Sequence, residues 1–222
     1  NYLNFIASHD GIGMRPAEGI LSKETIKNLL NRLKKNGSKF SYRKIQNQTK
    51  KVYEANITVF DALYKSDFDK LGKFANERYI SAHSIMYALD GVPALYFNSL
   101  FGTSNDEAKY IITGNNRDIN RYRWSEKNIL KLLKNKKSKQ SFFYEGISNL
   151  LLVRRKQKAF HPNGLRSNMN MGPKIFGFKR QSLDKKQTIL CITNLSSKAQ
   201  SQKMNYKFLK WKNLLNYKSD HI

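Results

Sequence analysis

A histidine and a carboxylate stand side by side near the start of the chain, at His9 and Asp10. The apolar run over residues 2–6 precedes them and predicts a buried strand. Gly11 and Gly13 follow at once, and glycine lets the backbone turn tightly. Parallel α/β barrels place their active-site groups at the carboxyl ends of such strands. The pair therefore indicates a candidate active site, with a simple turn cap as the alternative.

Two arginines form a second candidate set in the long loop over residues 98–123, at Arg117 and Arg121. A guanidinium is planar, permanently charged and able to bind phosphate through two parallel hydrogen bonds. Ordered loops longer than a connection requires are often functional. The loop therefore predicts an anion-binding group, with a solvated surface charge as the alternative.

Periodicity and turn residues predict the elements that hold these motifs. Ser22 can cap a helix that ends at Asn36-Gly37, and the run at 91–97 predicts a second buried strand. The other predicted elements are a polar stretch at 38–51, a short helix ending at Leu63, helices at 69–89, 125–135 and 140–157, and β-type runs at 175–179 and 188–194.

Composition sets the broad class. The 222 residues carry a formal net charge of +25 and are 40% hydrophobic, which is enough to build a sizeable core. Such a charge is typical of nucleic-acid binders, but the basic residues are spread along the chain, so we interpret it as a general enrichment in lysine. Cys191, the one cysteine, lies in an apolar run and predicts a small buried side chain. With no run of about 18 apolar residues we expect no membrane span and a cytoplasmic protein.

Five segments together resemble a known family. FIASHDGIG at 5–13 resembles the signature at the end of the seventh barrel strand in the α-amylase superfamily. The remaining segments are similar to the sucrose phosphorylase branch, which includes sucrose, sucrose-6-phosphate and glucosylglycerate phosphorylases. They are YEANITVFDAL (53–63), GVPALYFNSLFG (91–102), TGNNRDINRYRW (113–124) and AFHPNG (159–164).

The resemblance implies an α/β fold in two parts. Residues 1–161 are expected to be the C-terminal part of a catalytic (β/α)8 TIM barrel, from about strand seven. Residues 162–222 are expected to form a small antiparallel, β-sandwich-like domain that is incomplete. Because the chain opens on Asn1 almost inside a predicted strand, we interpret it as the back part of a larger enzyme.

The implied activity is that of a retaining α-glucoside phosphorylase of the sucrose or glucosylglycerate type. Such an enzyme transfers glucose to inorganic phosphate through a covalent glucosyl-enzyme and releases α-glucose 1-phosphate. The family's nucleophile and general acid/base lie on barrel strands four and five, upstream of Asn1, so the isolated chain is expected to be inactive. The implied partners are an α-glucoside and phosphate, and no cofactor or metal is implied. The alternatives are a hydrolase or transglucosidase of the same superfamily and a basic nucleic-acid-binding remnant.

The resemblance also assigns roles to the first two candidate sets. Asp10 matches the third acidic residue of the superfamily, which stabilises the transition state, and His9 matches a neighbour that binds the same sugar. Arg117 matches the arginine that contacts the phosphate or the acceptor. We expect Arg121 to be a structural partner of Asp118.

A third set comes from the same comparison. Tyr53, Glu54 and Asn56 match a mobile loop of the acceptor site and are the remaining substrate-binding candidates. Sucrose phosphorylases tend to have glutamine where this chain has Glu54, and the difference favours a glucosylglycerate-type enzyme. A carboxylate on the acceptor would then need an arginine or lysine nearby to offset its repulsion from Glu54. Glu18, in the loop after Asp10, is a further polar candidate or a helix-entry residue.

Overall fold

The computed structural model describes residues 2–44, 50–203 and 212–215. Internal contacts divide the chain into two compact units. The first unit comprises Asn1–Asn4, Ser81–Pro93 and Gly146–Ile222, and the second comprises Phe5–Ile80 and Ala94–Glu145. A domain boundary after residue 161 remains a prediction. Within the described ranges, no helix has both the length and the apolar character that crossing a membrane requires.

The helices and strands follow one another in a mixed α/β order. The first half contains β1 (Leu3–Asn4), β2 (Ile12–Gly13), α1 (Lys23–Lys35), β3 (Lys39–Lys44), β4 (Lys50–Asn56), α2 (Val59–Tyr64), α3 (Ala75–Ala88) and β5 (Val92–Pro93). The second half contains α4 (Glu107–Thr113), α5 (Glu126–Lys134), α6 (Lys139–Lys156), β6 (Leu165–Met169), β7 (Ile175–Gln181) and β8 (Thr188–Asn194). Short 3₁₀ helices occur at Arg15–Ala17, Phe97–Phe101, Asn116–Asn120 and Lys158–Phe160.

Helix α1 begins and ends where the sequence predicts. The Ser22 hydroxyl accepts a hydrogen bond from the Thr25 backbone N–H at 3.1 Å, which satisfies one of the free donors at the helix start. Gly37, with φ of +94°, follows the last turn, and this left-handed conformation favours glycine. Leu33 is buried in a core cluster with Ala55 and Ile57, so the apolar face of α1 covers one face of the neighbouring sheet.

That sheet has the order β2-β4-β3 and is antiparallel throughout. Residues 39–44 and 50–51 of the polar stretch at 38–51 belong to strands β3 and β4, which pair as a hairpin. The loop that the family resemblance implies at 53–56 is wrong, because these residues continue β4. Phe40, Val52 and Ala55 pack on the core side of the hairpin, which gives it a buried apolar face. A register shift between Ser41 and Tyr42 makes a bulge opposite the predicted loop.

Strands β6, β7 and β8 form a second antiparallel sheet, in that order. Phe178 of β7 is buried with Ala88 and Phe160 in the core of the first unit. Both β-type runs that the sequence predicts belong to this sheet. A second layer, which a sandwich requires, is not found among the described residues of 162–222.

Strands β1 and β5 pair in parallel, with Leu3 opposite Val92 and Asn4 opposite Pro93. The two apolar runs that the sequence predicts as barrel strands are therefore neighbours and run in the same direction. Each strand is two residues long, and the barrel itself remains a prediction. The loop predicted at 98–123 contains α4 and two 3₁₀ helices, so it is more regular than expected.

Arg154 of α6 binds the backbone carbonyls at the end of α3 and just beyond it. Its guanidinium donates hydrogen bonds to the carbonyl oxygens of Tyr87, of Leu89 at 3.1 Å and of Gly91 at 2.7 Å. The last carbonyls of a helix have no partner within the helix, and the helix dipole favours a cation at this end. Burial lowers the pKa of Arg154, and the nearby charge of Arg180 lowers it further.

Arg180 of β7 satisfies further carbonyls in the same unit. Its side chain is fully buried, at 0% exposure. It donates to the carbonyl oxygens of Ala88 at 2.8 Å, His161 at 2.7 Å and Gly164 at 3.4 Å. Burial lowers its pKa as well. The buried Arg180 side chain therefore links the end of α3 to the segment before β6 through hydrogen bonds.

Candidate active site

The turn that carries Asp10 is held from both sides. Ser8 and Gly11 exchange backbone hydrogen bonds of 3.0 and 3.2 Å, and the Ser8 hydroxyl accepts a bond from the Asp10 backbone N–H at 3.2 Å. Gly11 has φ of +129°, and a Cβ at this position would overlap the carbonyl oxygen of Ala55. Only glycine permits this close approach of the turn to β4. The side chain of Asn120 donates to the Ser8 carbonyl at 2.8 Å and holds the turn from the other side.

Asp10 lies between two guanidinium groups and an imidazole. Its Oδ2 is 3.4 Å from Nη1 of Arg117, and its Oδ1 forms an ion pair with Nη2 of Arg121. Nε2 of His9 is 3.2 Å from Oδ1. The Asp10 side chain is 20% exposed and that of His9 is 62% exposed, so both can be reached from solvent. The two predicted catalytic residues and the predicted phosphate ligand are therefore brought together.

The partner of Arg121 differs from the expected one. The side chain of Asp118 pairs instead with Lys109 at 3.4 Å, whereas Arg121 pairs with Asp10. The cause is the 3₁₀ helix at Asn116–Asn120, which ends with the Arg121 backbone N–H donating to the Asp118 carbonyl at 3.1 Å. This backbone bond brings the two residues close, while their side chains bind other partners.

Glu54 joins the same group through Arg117. Nε of Arg117 donates to Oε2 of Glu54 at 3.1 Å, and its Nη2 donates to the Tyr53 hydroxyl at 3.3 Å. The hydrogen bond from Glu54 raises the pKa of Arg117, and the charge of Asp10 adds to the effect. One guanidinium thus binds both carboxylates and the tyrosine of the predicted acceptor site.

Asn56 is the buried link between the backbone of Asp10 and the carboxylate of Glu54. Its Nδ2 donates to the backbone carbonyl of Asp10 at 2.9 Å and to Oε2 of Glu54 at 2.8 Å, and its Oδ1 accepts from the Ser41 hydroxyl at 2.9 Å. Its side chain has 0% exposure. In this structure Asn56 therefore positions Asp10 and Glu54, and its direct contact with substrate remains a prediction.

Three further residues contribute to the site without having been assigned to it from the sequence. Asn120 and Ser41 make the bonds described above, and Tyr96 supports Asn120. The Tyr96 hydroxyl donates to the Asn120 carbonyl at 3.0 Å, and its ring lies 6.4 Å from that of His9. Burial raises the pKa of Tyr96. Asn120 lies within the motif TGNNRDINRYRW at 113–124, and this position is the sequence signal that could have identified it as a site residue.

The site balances two carboxylates against two guanidinium groups. A carboxylate bound by guanidinium groups presents its remaining lone pairs in a fixed direction. Such a group can accept hydrogen bonds from sugar hydroxyls and can stabilise positive charge near it. Among residues 2–44, 50–203 and 212–215, no group of three or more His, Cys, Asp or Glu side chains is arranged to hold a metal ion.

Sequence comparisons relate the chain to a group of sugar phosphorylases. The glucosylglycerate phosphorylase of Spirochaeta thermophila is 35% identical over 196 residues, which cover 88% of this chain and 33% of the relative. That of Escherichia coli is 32% identical over 194 residues, covering 87% and 34%. The sucrose phosphorylase of Bifidobacterium adolescentis is 28% identical over 145 residues, covering 60% and 27%. The chain thus spans about a third of the length of the curated relatives that it matches.

Structural comparison agrees in fold. The crystal structure of sucrose 6F-phosphate phosphorylase from Thermoanaerobacter thermosaccharolyticum matches with a TM-score of 0.71 and 20% sequence identity, covering 87% of this chain and 36% of that one. At this identity the match shows the fold alone. No protein-family model matches the chain.

Proposed function

The chain is a homologue of the glucosylglycerate and sucrose phosphorylases of the α-amylase superfamily, and from that premise we propose that it serves a retaining α-glucoside phosphorylase. The observation that carries the proposal is the convergence of Arg117 and Arg121 on Asp10. Two sequence segments that are distant along the chain meet at Asp10, and a third joins them through the hydrogen bond between Arg117 and Glu54, as a site that holds a sugar and an anion requires.

In the proposed reaction a carboxylate nucleophile attacks the anomeric carbon while a carboxylic acid protonates the departing oxygen. Phosphate then attacks the anomeric carbon from the face that the leaving group vacated, which breaks the bond to the nucleophile and releases α-glucose 1-phosphate. The nucleophile and the acid are expected on parts of the family's barrel that precede Asn1. The residues of this chain would bind the sugar and the phosphate, orient them and stabilise the transition state.

Asp10 is the proposed transition-state stabiliser. As the sugar ring gains positive charge, the hydrogen bonds between its hydroxyls and an ionised carboxylate become stronger. Arg117 and Arg121 bind that carboxylate, and the Gly11 turn fixes its direction. His9, beside it and largely exposed, is the proposed second contact with the same sugar.

Arg117 is the proposed phosphate ligand, and Glu54 controls it. The hydrogen bond between Glu54 and Arg117 holds the guanidinium near Asp10 before phosphate arrives. A phosphate group would compete with these carboxylates for the same donors, so its entry would loosen the Glu54 bond. Together with Tyr53, Glu54 would also form one wall of the leaving-group subsite.

The test is a phosphorolysis assay on the full-length protein, with glucosylglycerate and sucrose as substrates and phosphate as acceptor. α-Glucose 1-phosphate and free glucose are measured in the same reaction. We expect Arg117→Ala to lower kcat/KM for phosphorolysis about 100-fold while glucose release is largely retained. The matched control is Arg123→Ala, which removes an exposed arginine from the same segment.

Two outcomes would count against the proposal. Glucose release that exceeds phosphorolysis at saturating phosphate would identify a hydrolase or transglucosidase of the same superfamily. An equal loss of both activities in Arg117→Ala would remove the phosphate role from this residue and leave it only a structural one.

A further inference from the structure

Lys139 is the first residue of α6, and its amine lies against an aromatic ring. Its Nζ is 3.3 Å from the centre of the Phe60 ring and donates a hydrogen bond to the Ser104 hydroxyl at 2.8 Å. Phe60 is buried, at 7% exposure, whereas Ser104 lies at the surface. The amine is therefore removed from water on the side of the ring and can be reached from solvent on the side of Ser104.

The start of α6 disfavours a positive charge. The Ser138 hydroxyl accepts a hydrogen bond from the Ser141 backbone N–H at 3.0 Å, which caps the helix, and Lys139 directly follows this cap. The first turn of α6 has no acidic residue. Because unpaired backbone N–H groups give this end of a helix a partial positive charge, an ammonium group is repelled here and the neutral amine is favoured.

The nearby carboxylate of Asp61 is already bound by other groups. Its Oδ2 accepts hydrogen bonds from the Thr58 hydroxyl at 3.3 Å and from the backbone N–H of Asn105. Burial raises the pKa of Asp61, and the charge of Glu107 adds to the rise. The charge of Asp61 and the ring face both favour the ammonium form of Lys139. Removal of the amine from water outweighs them, since the pKa of Lys139 falls to about 8.

Two lysines just before α6 have a different environment. The side chain of Lys136 is 75% exposed and pairs with Glu145, and Lys137 is exposed as well. A lysine in water has a pKa of about 10.4, so only about one in a thousand of such amines is neutral at about pH 7.5. At the same pH about a quarter of the Lys139 amines are neutral. Only the neutral amine is a nucleophile, so Lys139 is set apart from its neighbours.

We propose that Lys139 is a modification site, which small acyl phosphates acylate at Nζ. The neutral amine attacks the carbonyl carbon of the acyl phosphate, so that a C–N bond forms and the C–O bond to phosphate breaks. Inorganic phosphate leaves with the electron pair of that bond, and the amine releases a proton to water. The acylated side chain is neutral, so Asp61 loses the nearby cation that favours its ionised form. The inference does not depend on the proposed function.

The test is acetylation of the full-length protein by acetyl phosphate, with the rate at each lysine measured by peptide mass spectrometry. At about pH 7.5 we expect Lys139 to react about tenfold faster than Lys137, because its larger neutral fraction outweighs the lower nucleophilicity of a weaker base. The rate at Lys139 should level off above about pH 8. The rate at Lys137 should still be rising at that pH.

Two variants form a matched pair, since each removes one acid beside one lysine. Asp61→Asn removes a charge that favours the ammonium form of Lys139, so it should shift the rate profile of Lys139 to lower pH. Glu145→Gln removes the partner of Lys136 and should leave the profile of Lys139 unchanged. Damage to the fold would place the Lys139 amine in water and shift its profile to higher pH, in the opposite direction.

Three results would overturn the inference. A rate at Lys139 no higher than that at Lys137 would show that acetyl phosphate does not reach a neutral amine there. A rate at Lys139 that still rises at about pH 10 would show that its ammonium form is well solvated. A profile that Asp61→Asn leaves in place or moves to higher pH would show that the contacts around Phe60 and Asp61 do not set the reactivity.

Discussion

Two pairs of arginines in this chain meet opposite kinds of partner. Arg117 and Arg121 bind carboxylates and remain about one-third exposed. Arg154 and Arg180 bind backbone carbonyls at the end of α3 and the segments beyond it. The pKa of Arg117 is raised by its hydrogen bond to Glu54, whereas burial lowers the pKa of Arg180.

The difference separates a group that can bind a ligand from one that cannot. Donors that are reachable from solvent and bound to carboxylates can be taken over by an incoming anion or sugar. Donors that bind backbone carbonyls are already satisfied within the protein, and their removal leaves those carbonyls unsatisfied. We therefore expect the first pair to govern activity and the second to govern stability.

The largest effect expected from the first pair follows Asp10→Asn in the full-length protein. The two guanidinium groups then lose their shared negative charge, and the sugar loses a charged acceptor. We expect kcat to fall about 1000-fold and the free energy of unfolding to change by about 1 kcal/mol or less. Asp118→Asn is the control, because Asp118 pairs with Lys109 and not with the arginine pair. Comparable losses of kcat in Asp10→Asn and Asp118→Asn would show that activity does not depend specifically on the carboxylate that Arg117 and Arg121 bind.

Arg180→Leu should give the largest loss of stability. Three carbonyl oxygens lose their donor in a buried place, and we expect the free energy of unfolding to fall by about 3 kcal/mol. Denaturant titration measures this, and kcat of the folded fraction should be unchanged. Arg166→Leu, on the adjacent strand β6, removes a partly exposed ion pair with Asp90 and should cost less than about 1 kcal/mol. A small effect of Arg180→Leu would mean that burial against carbonyls is not what distinguishes the second pair.

Gly11→Ala should produce an intermediate effect on both activity and stability. The new methyl group meets the carbonyl of Ala55 in a backbone conformation that favours glycine, so we expect a loss of about 2 kcal/mol in unfolding free energy. The turn must also move away from β4, which shifts Asp10 from Arg117. Gly114→Ala is the control, since its φ of +63° is also left-handed but no atom lies within 4 Å of its Cβ. Equal effects at the two glycines would assign the loss to backbone conformation alone.

Lys139 offers the most directly titratable effect, because an arginine does not titrate in the accessible range. Its Nζ lies 3.3 Å from the centre of the Phe60 ring, and burial lowers its pKa to about 8 despite the charge of Asp61. The unfolded chain keeps this proton up to about pH 10, so stability should rise between about pH 8 and 10 as the folded form loses it. Lys139→Gln should remove that part of the slope in denaturant titrations at several pH values. An unchanged slope would show that the amine is well solvated.

The sequence predicts which residues come together at the candidate site better than it predicts which side chains pair with one another there. The segments around Asp10, Glu54 and Arg117 are named in advance because each has an unusual combination of residue types. The pairing of Arg121 with Asp10 is not predictable in the same way, since it depends on how a 3₁₀ helix directs a side chain across the molecule. Asn56 is read as a substrate ligand, but its burial follows from the pairing of strands that the sequence did not reveal.

The fold shows the same limit. Helix α1 is predicted at both ends because its cap and its apolar spacing are local signals. Strand β3 is missed because lysines and serines flank Phe40 and Tyr42, and strand propensity is weak on a half-polar face. The parallel pairing of the two apolar runs is predicted only through the family resemblance, since no local signal specifies which strands become neighbours.

The pairing of β1 with β5 also bears on the order in which the chain folds. Leu3 pairs with Val92, and closing the long loop between them costs more conformational entropy than closing the hairpin of β3 and β4. The hairpin and the β6–β8 meander contain mostly local contacts and can form early. We therefore expect hydrogen exchange during refolding to protect paired amides of β3 and β4 before that of Val92, with the ends of the first unit joining last.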